Sequence, residues 1–221
     1  MKNNQGGSGE GSKGGANNSS EDALSRLSFE HPIPKAVREH GKALDPKVLE
    51  SGDLILVSKK KKSWLSRQIQ TYQSEMFAPE HACWHHAVVS GGRFEICEAT
   101  LQGVRACEYW KYMTGEYDIK IRRLRNAPSD IRSQVAYYAA TNVRTKYGFL
   151  NAFNIRRILI SGDGWRRTML WSKGVICSQL YFEACMRVGY LLATIPPENV
   201  CPAHLSLSPG MFDVPLSWVK V

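Results

Sequence analysis

The chain has 221 residues, 43% of them hydrophobic, which is enough to bury one core without a disulfide scaffold. Its six cysteines are too sparse for such a scaffold, so we expect mostly reduced thiols. The formal charge of +9 favours acidic surroundings, whether nucleic acid, anionic lipid or an acidic polymer.

Membrane insertion and a cleavable leader are not expected from this sequence. No stretch approaches the roughly 18 to 20 consecutive apolar residues of a membrane-spanning helix. The N-terminus also lacks the apolar core of a secretory signal. We therefore predict no stable membrane insertion, and the sequence alone assigns no localisation.

Composition divides the chain into three parts. Residues 1–22 contain almost no side chain that could be buried, which predicts a disordered tail. Residues 23–50 are polar and broken by three prolines, which is typical of an extension made of short helices and loops. Residues 51–221 carry the remaining predicted elements and are expected to form one domain.

Strand and helix patterns then alternate along the domain. "DLILV" at 53–57 predicts a strand, 86–90 and 93–98 predict a hairpin joined at Gly91-Gly92, and "YDIKIRRL" at 117–124 predicts another strand. A helix is expected from about Ser129, with Ser129 as its N-cap, and a second over "CSQLYFEACMRVGY", ending near Gly189. We expect irregular structure over 147–176 and a loop-rich C-terminal wrap. The predicted class is α+β.

Cys177 occupies the first turn of the second predicted helix. It precedes Leu180 and Tyr181 by three and four residues, so it should face inward with them. The helix dipole and unpaired N–H groups at such a position stabilise a thiolate, and the same N–H groups can hold an oxyanion. A small buried hydrophobe is the usual role of a free cysteine, so catalysis and packing both remain open for Cys177.

Two histidines stand at the head of the predicted hairpin. A cysteine nucleophile needs an imidazole within hydrogen-bond reach, and either His85 or His86 could supply it. Glu98 has the strand parity of Phe94 and Ile96, an apolar face on which a carboxylate needs a partner such as a buried histidine. Satisfied core or surface histidines are the competing interpretation.

A metal site and nucleic-acid binding are the other functions to weigh. His81, Cys83, His85 and His86 are residue types that zinc accepts. However, adjacent strand residues point to opposite faces, and no second Cys/His pair stands at zinc-finger distance. The positive net charge is not accompanied by any recognisable nucleic-acid-binding motif in the sequence. We expect no metal, no organic cofactor and no nucleic acid.

The order of several short motifs resembles a known family. They are "GDLILVS", "SWLSRQIQ", "WHHAVV", "ICEATLQGV", "IKIRRL", "KYGF" and "VICSQLYFEA". Over about residues 51–213 this order is similar to the circularly permuted branch of the NlpC-like papain superfamily, the YaeF/YiiX-type cysteine hydrolases. The histidine strand and the acidic residue precede the cysteine helix in that branch, as they do here. The resemblance implies a permuted papain-like α+β domain, with an antiparallel sheet packed against the helix that carries the nucleophile.

The resemblance also implies roles for individual residues. Cys177 matches the nucleophile, His86 the base and Glu98 the group that orients the imidazole. A shift of one residue would make His85 the base instead. Tyr147 of "KYGF" matches a tyrosine near the nucleophile and is the expected substrate contact.

By resemblance, the chain is expected to be a cysteine peptidase or amidase that cleaves amide bonds in peptidoglycan stem peptides. The expected basic lining for an approach from an anionic wall is Lys59–Lys62, Arg122, Arg123 and Arg125. A lipid acyl hydrolase or acyltransferase of the same fold and a non-enzymatic binding module are the alternatives. A wall enzyme without a cleavable signal would need a specialised secretion system, as an antibacterial effector does, with secretion machinery or an immunity protein as partner.

Overall fold

The computed structural model describes residues 32–146 and 175–221. The tail predicted over 1–22, the start of the 23–50 extension, Tyr147 and nearly all of the region predicted to be irregular lie outside the described residues.

A six-stranded sheet forms the centre of the described chain. Its strand order is β5-β4-β3-β2-β6-β7, and every neighbouring pair is antiparallel. A separate antiparallel pair joins β1 to β8. The strands are β1 (Lys42–Leu44), β2 (Leu54–Lys59), β3 (His86–Gly92), β4 (Glu95–Thr100), β5 (Gly103–Glu108), β6 (Tyr117–Leu124), β7 (Met211–Val214) and β8 (Trp218–Lys220).

Six α-helices are described, and two of them cover one face of the sheet. They are α1 (Lys35–His40), α2 (Trp64–Ser74), α3 (Pro79–Ala82), α4 (Ser129–Thr141), α5 (Cys177–Arg187) and α6 (Pro202–Leu207). Short 3-10 helices occupy Pro46–Val48, Tyr109–Tyr112 and Pro197–Asn199. Both α4 and α5 pack against β3 and β4, and against each other.

The alternation of strand residues divides the core between the two sheet faces. Leu54, Leu56, Ala87 and Val89 are buried together with the inner faces of α4 and α5. The strand residues of opposite parity include Ile55, Val57, Val88 and Ile96. They are buried with the aromatic side chains of Tyr109 and Trp110, which belong to the 3-10 helix after β5. The α+β class predicted from the sequence is confirmed, and so is the antiparallel character of the sheet.

The predicted hairpin forms, but its turn lies later than predicted. β3 continues through Gly92, and the reversal falls at Arg93, which has a φ of 52°, and Phe94. The pairing register shifts between Ser90 and Gly92, so a bulge absorbs the glycine pair within the strand. The helix predicted from Ser129 begins there, although Pro128 rather than Ser129 occupies the N-cap position.

The elements that were not predicted include β5, α6 and β7. β5 begins at Gly103, which has a φ of 109° and on which a Cβ would lie 2.8 Å from the carbonyl oxygen of Thr145, so this position requires glycine. The C-terminal wrap contains α6 and β7, and β7 extends the sheet beside β6.

The arginines of β6 stabilise the fold instead of lining an approach, so the expectation for Arg122 and Arg123 is wrong. Arg122 donates to the carbonyl oxygens of Leu205 at 2.8 Å and Met211 at 2.9 Å. Arg123 donates to the buried carboxylate of Asp53 at 2.8 Å. Both side chains are thereby committed to fixing loops against the sheet.

Candidate active site

Cys177 is the first residue of α5, as the sequence predicts, and its side chain faces the core. Only 6% of the residue is exposed, and Leu180 and Tyr181 are buried on the same side of the helix. The N-cap residue Ile176 is extended, so the helix begins at Cys177 and its first N–H groups have no acceptor within the helix.

The thiol of Cys177 is hydrogen-bonded to the imidazole of His86 and to the backbone N–H groups of Ala87 and Ser178. Burial opposes a charged sulfur and raises the pKa of Cys177. The His86 imidazolium and these hydrogen bonds outweigh burial and hold that pKa below its ordinary value. The site therefore favours a thiolate.

His86, the first residue of β3, connects the thiol to a carboxylate. Its Nε2 lies 2.9 Å from Oε2 of Glu98, which leaves Nδ1 as the nitrogen available to Cys177. Burial disfavours the imidazolium, but the Cys177 thiolate and the Glu98 carboxylate outweigh it and raise the pKa of His86 to about 9. Both shifts favour a thiolate paired with an imidazolium.

Glu98 is fully buried on β4, on the apolar face that its parity predicts. It lies opposite Val88, two residues along β3 from His86. Its Oε1 accepts from Arg105 Nε at 2.9 Å and from Lys111 Nζ at 2.6 Å, and its Oε2 also accepts from the Tyr112 hydroxyl. Burial alone would raise the pKa of Glu98, but the hydrogen bonds and charges of His86, Lys111 and Tyr112 hold it well below its usual range.

Sequence reasoning missed Arg105, Lys111 and Tyr112. Arg105 pairs with Glu98 across β4 and β5, so recognising β5 as a strand would have placed it there. Lys111 and Tyr112 lie in the 3-10 helix that follows β5, and no spacing in the sequence relates that segment to Glu98.

His85 is directed away from the thiol. Its Nε2 accepts the backbone N–H of Lys59 at 2.7 Å. Burial, with the charges of His86 and Lys62, lowers the pKa of His85 to about 4, so the ring is neutral at pH 7. Of the two candidate bases, the structure brings His86 to Cys177.

Replacing His85 with alanine is expected to lower the free energy of unfolding by about 1 kcal/mol, because the Lys59 N–H loses its acceptor. The rate at which iodoacetamide alkylates Cys177 should stay near that of the unchanged protein. Urea denaturation and peptide mass spectrometry measure the two quantities. Loss of Cys177 reactivity in His85→Ala would move the base to His85.

The backbone before His86 is held by polar side chains of α2. Gln73, which is fully buried, donates to the carbonyl oxygens of Ala82 at 3.0 Å and Trp84 at 2.6 Å, and it accepts from the N–H of Ala203 at 2.9 Å. Gln70 donates to the carbonyl oxygen of Cys83. The inner face of α2 is therefore polar, which fixes the chain that leads into β3.

Gln73→Leu is expected to lower the free energy of unfolding by about 2–4 kcal/mol. The carbonyl groups of Ala82 and Trp84 and the N–H of Ala203 would each lose the hydrogen bond to Gln73. Gln68→Leu is the matched control, since Gln68 is half-buried on the same helix. Urea denaturation of both variants checks the prediction. Equal stability of the two would show that the Gln73 contacts contribute little.

The zinc ligand types considered from the sequence do not converge. His81 is bonded through Nδ1 to the Ser206 hydroxyl at 3.0 Å, and His85 and His86 have the separate partners given above. Within residues 32–146 and 175–221, no group of three or more His, Cys, Asp or Glu side chains is arranged to hold a metal ion. None of the helices in these ranges is long and apolar enough to cross a membrane.

Comparison with known proteins adds no assignment to this geometry. No protein-family model matches the chain, and a search of curated proteins likewise finds no match. The residues of the site are therefore the basis for inferring its function.

Proposed function

We propose that the chain is a cysteine hydrolase with a circularly permuted, NlpC-like papain fold. Cys177 is its nucleophile, His86 its base and Glu98 the group that orients the imidazole. The observation that carries this proposal is the buried series of contacts from a thiol at a helix N-terminus, through an imidazole, to a carboxylate. The chain order β3, β4, α5 supports the permuted arrangement.

The proposed reaction is acyl transfer to sulfur followed by hydrolysis. The Cys177 thiolate attacks the carbonyl carbon, and N–H groups at the start of α5 stabilise the oxyanion. His86 then gives its Nδ1 proton to the leaving group, which departs and leaves a thioester. His86 takes a proton from water as the water attacks that thioester, and the collapse of the adduct releases the acid and restores the ion pair. Glu98 keeps Nε2 bonded throughout.

We propose amide bonds of peptidoglycan stem peptides as the substrate. The net charge of +9 and the exposed Lys60, Lys61 and Lys62 support attraction to an anionic wall. These lysines follow β2. Lys59, the last residue of β2, donates its backbone N–H to His85, which precedes His86 in the sequence. Tyr147 stays the proposed substrate contact. Export by a specialised secretion system, with an immunity protein as partner, belongs to the same proposal.

A lipid acyl substrate is the second candidate, and one observation favours it. Trp64, the first residue of α2, is 59% exposed and follows the lysine run closely, and Met76, two residues beyond the end of α2, is 44% exposed. Basic residues beside exposed apolar ones suit the surface of an anionic membrane.

Purified protein incubated with isolated peptidoglycan and, separately, with anionic acyl-lipid vesicles distinguishes these substrates. Mass spectrometry of the products should show cleaved stem peptides that are missing with Cys177→Ala. Released acyl chains with intact stem peptides would replace the first candidate by the second. No product from either, together with an unreactive Cys177, would favour a binding module.

A further inference from the structure

The buried carboxylate of Glu98 has more partners than orienting a histidine requires. One hydrogen-bond acceptor is enough to fix an imidazole. The titratable groups that face Glu98 come from β3, β5, the following 3-10 helix and, through His86, α5; they are His86, Arg105, Cys107, Lys111, Tyr112 and Cys177. Two of them, Arg105 and Lys111, have basic side chains, and both donate to Oε1.

Lys111 and Tyr112 are consecutive residues that bind the two different oxygens of this carboxylate. Lys111 Nζ is 2.6 Å from Oε1, while the Tyr112 hydroxyl shares Oε2 with His86. The preceding residues, Tyr109 and Trp110, are almost fully buried, which anchors the 3-10 helix against the sheet. The pair is therefore supported by the core and is not a chance surface contact.

Charge balance gives a reason for the lysine. A buried carboxylate without a nearby cation takes up a proton more readily as the pH falls. A protonated Glu98 would no longer stabilise the His86 imidazolium, and the Cys177 thiolate would lose its counterion. Arg105 supplies part of the compensating charge, but it also donates to Gln102 at 3.2 Å, and 41% of its side chain is exposed.

We infer that Lys111 and Tyr112 are positioning residues of the site: Lys111 keeps Glu98 ionised, and Tyr112 fixes the carboxylate plane so that Oε2 meets His86. Together they extend the reactive thiolate to lower pH. This inference rests on the proposed function, because it takes Cys177 as the reactive thiol.

The pH dependence of Cys177 alkylation by iodoacetamide tests the inference without any substrate. Full-length protein is alkylated for short times across a pH series, and the Cys177 peptide is quantified by mass spectrometry. In Lys111→Met the acid limb of the rate profile should move about one pH unit upward. Lys111→Arg should restore it, and Tyr112→Phe should move it upward by less.

Lys120→Met is the control, because Lys120 is partly buried but pairs with Asp213 at 3.0 Å. Its profile should match that of the unchanged protein. If Lys111→Met does not fold by circular dichroism, Lys111→Gln and Tyr112→Phe carry the test. Folded variants whose acid limbs coincide with that of the unchanged protein would overturn the inference. An ordinary thiol pKa for Cys177 in the unchanged protein would instead overturn the proposed function.

Discussion

Cys177→Ala is expected to abolish hydrolysis, with a loss on the order of 10⁴-fold or more, because no acyl-enzyme can form without the sulfur. The fold should persist, since alanine suits both the first turn of α5 and its buried side. Product formation on whichever substrate is cleaved, with circular dichroism as the folding check, measures both outcomes. Activity remaining near that of the unchanged protein would contradict Cys177 as nucleophile.

The other buried thiols provide matched controls. Burial raises the pKa of Cys201 to about 11, and it raises that of Cys185 above the usual range for a thiol. Both are poor nucleophiles at neutral pH, so Cys185→Ala and Cys201→Ala should retain activity. Selective loss in Cys201→Ala would relocate the reaction to the Cys201 thiol, which lies 3.0 Å from Nδ1 of His204.

The Cys177→Ala substitution should also change the pKa of His86. The thiolate of Cys177 helps to raise the pKa of His86 to about 9, so its removal should lower that pKa. Titration of the His86 ring by NMR measures the change. In the unchanged protein the imidazolium is lost as the pH rises through about 9, and the ion pair is lost with it. Activity that depends on the pair should decline over that range.

Two of the three proposed catalytic side chains, Cys177 and Glu98, could be placed from the sequence by a local rule. A helix N-terminus predicts the position of Cys177, and strand parity predicts the apolar face of Glu98. The choice between His85 and His86 needed the structure. The sequence does not show which of two adjacent strand residues faces the nucleophile until the contacts of each side chain are known. In the structure, His85 accepts the backbone N–H of Lys59.

The rest of the site depends on tertiary contacts that no local rule supplies. Hydrophobic patterning assumes that the apolar face of a helix is buried, yet α2 buries Ser66, Gln70 and Gln73. The two glutamines donate to backbone carbonyls at 82–84, which need hydrogen-bond partners where they are buried. The partners of Glu98 are hidden for a similar reason, because they belong to an unpredicted strand and the helix after it.

Glu98→Gln is expected to lower the free energy of unfolding and the reactivity of Cys177 nearly as much as Glu98→Ala does. Both substitutions remove the negative charge that balances Lys111 and Arg105. A glutamine oxygen can still accept a hydrogen bond, but two cations would then lack a counterion in a buried site. Breaking a buried ion pair is costly, and partial exposure of both cations moderates the cost to about 2–4 kcal/mol of unfolding free energy. Cys177 reactivity at neutral pH should fall in both variants.

The pH dependence of stability distinguishes charge from hydrogen bonding at Glu98. The folded-state pKa of this carboxyl lies below its ordinary value of 4.5, so its stabilisation is fully present above about pH 4.5 and declines as the pH falls further. Urea denaturation at a series of pH values should therefore show the gap between the unchanged protein and Glu98→Gln narrowing below that point. A gap that is constant with pH, with Gln retaining much more Cys177 reactivity than Ala, would mean that Glu98 acts as a hydrogen-bond acceptor and that its charge contributes little.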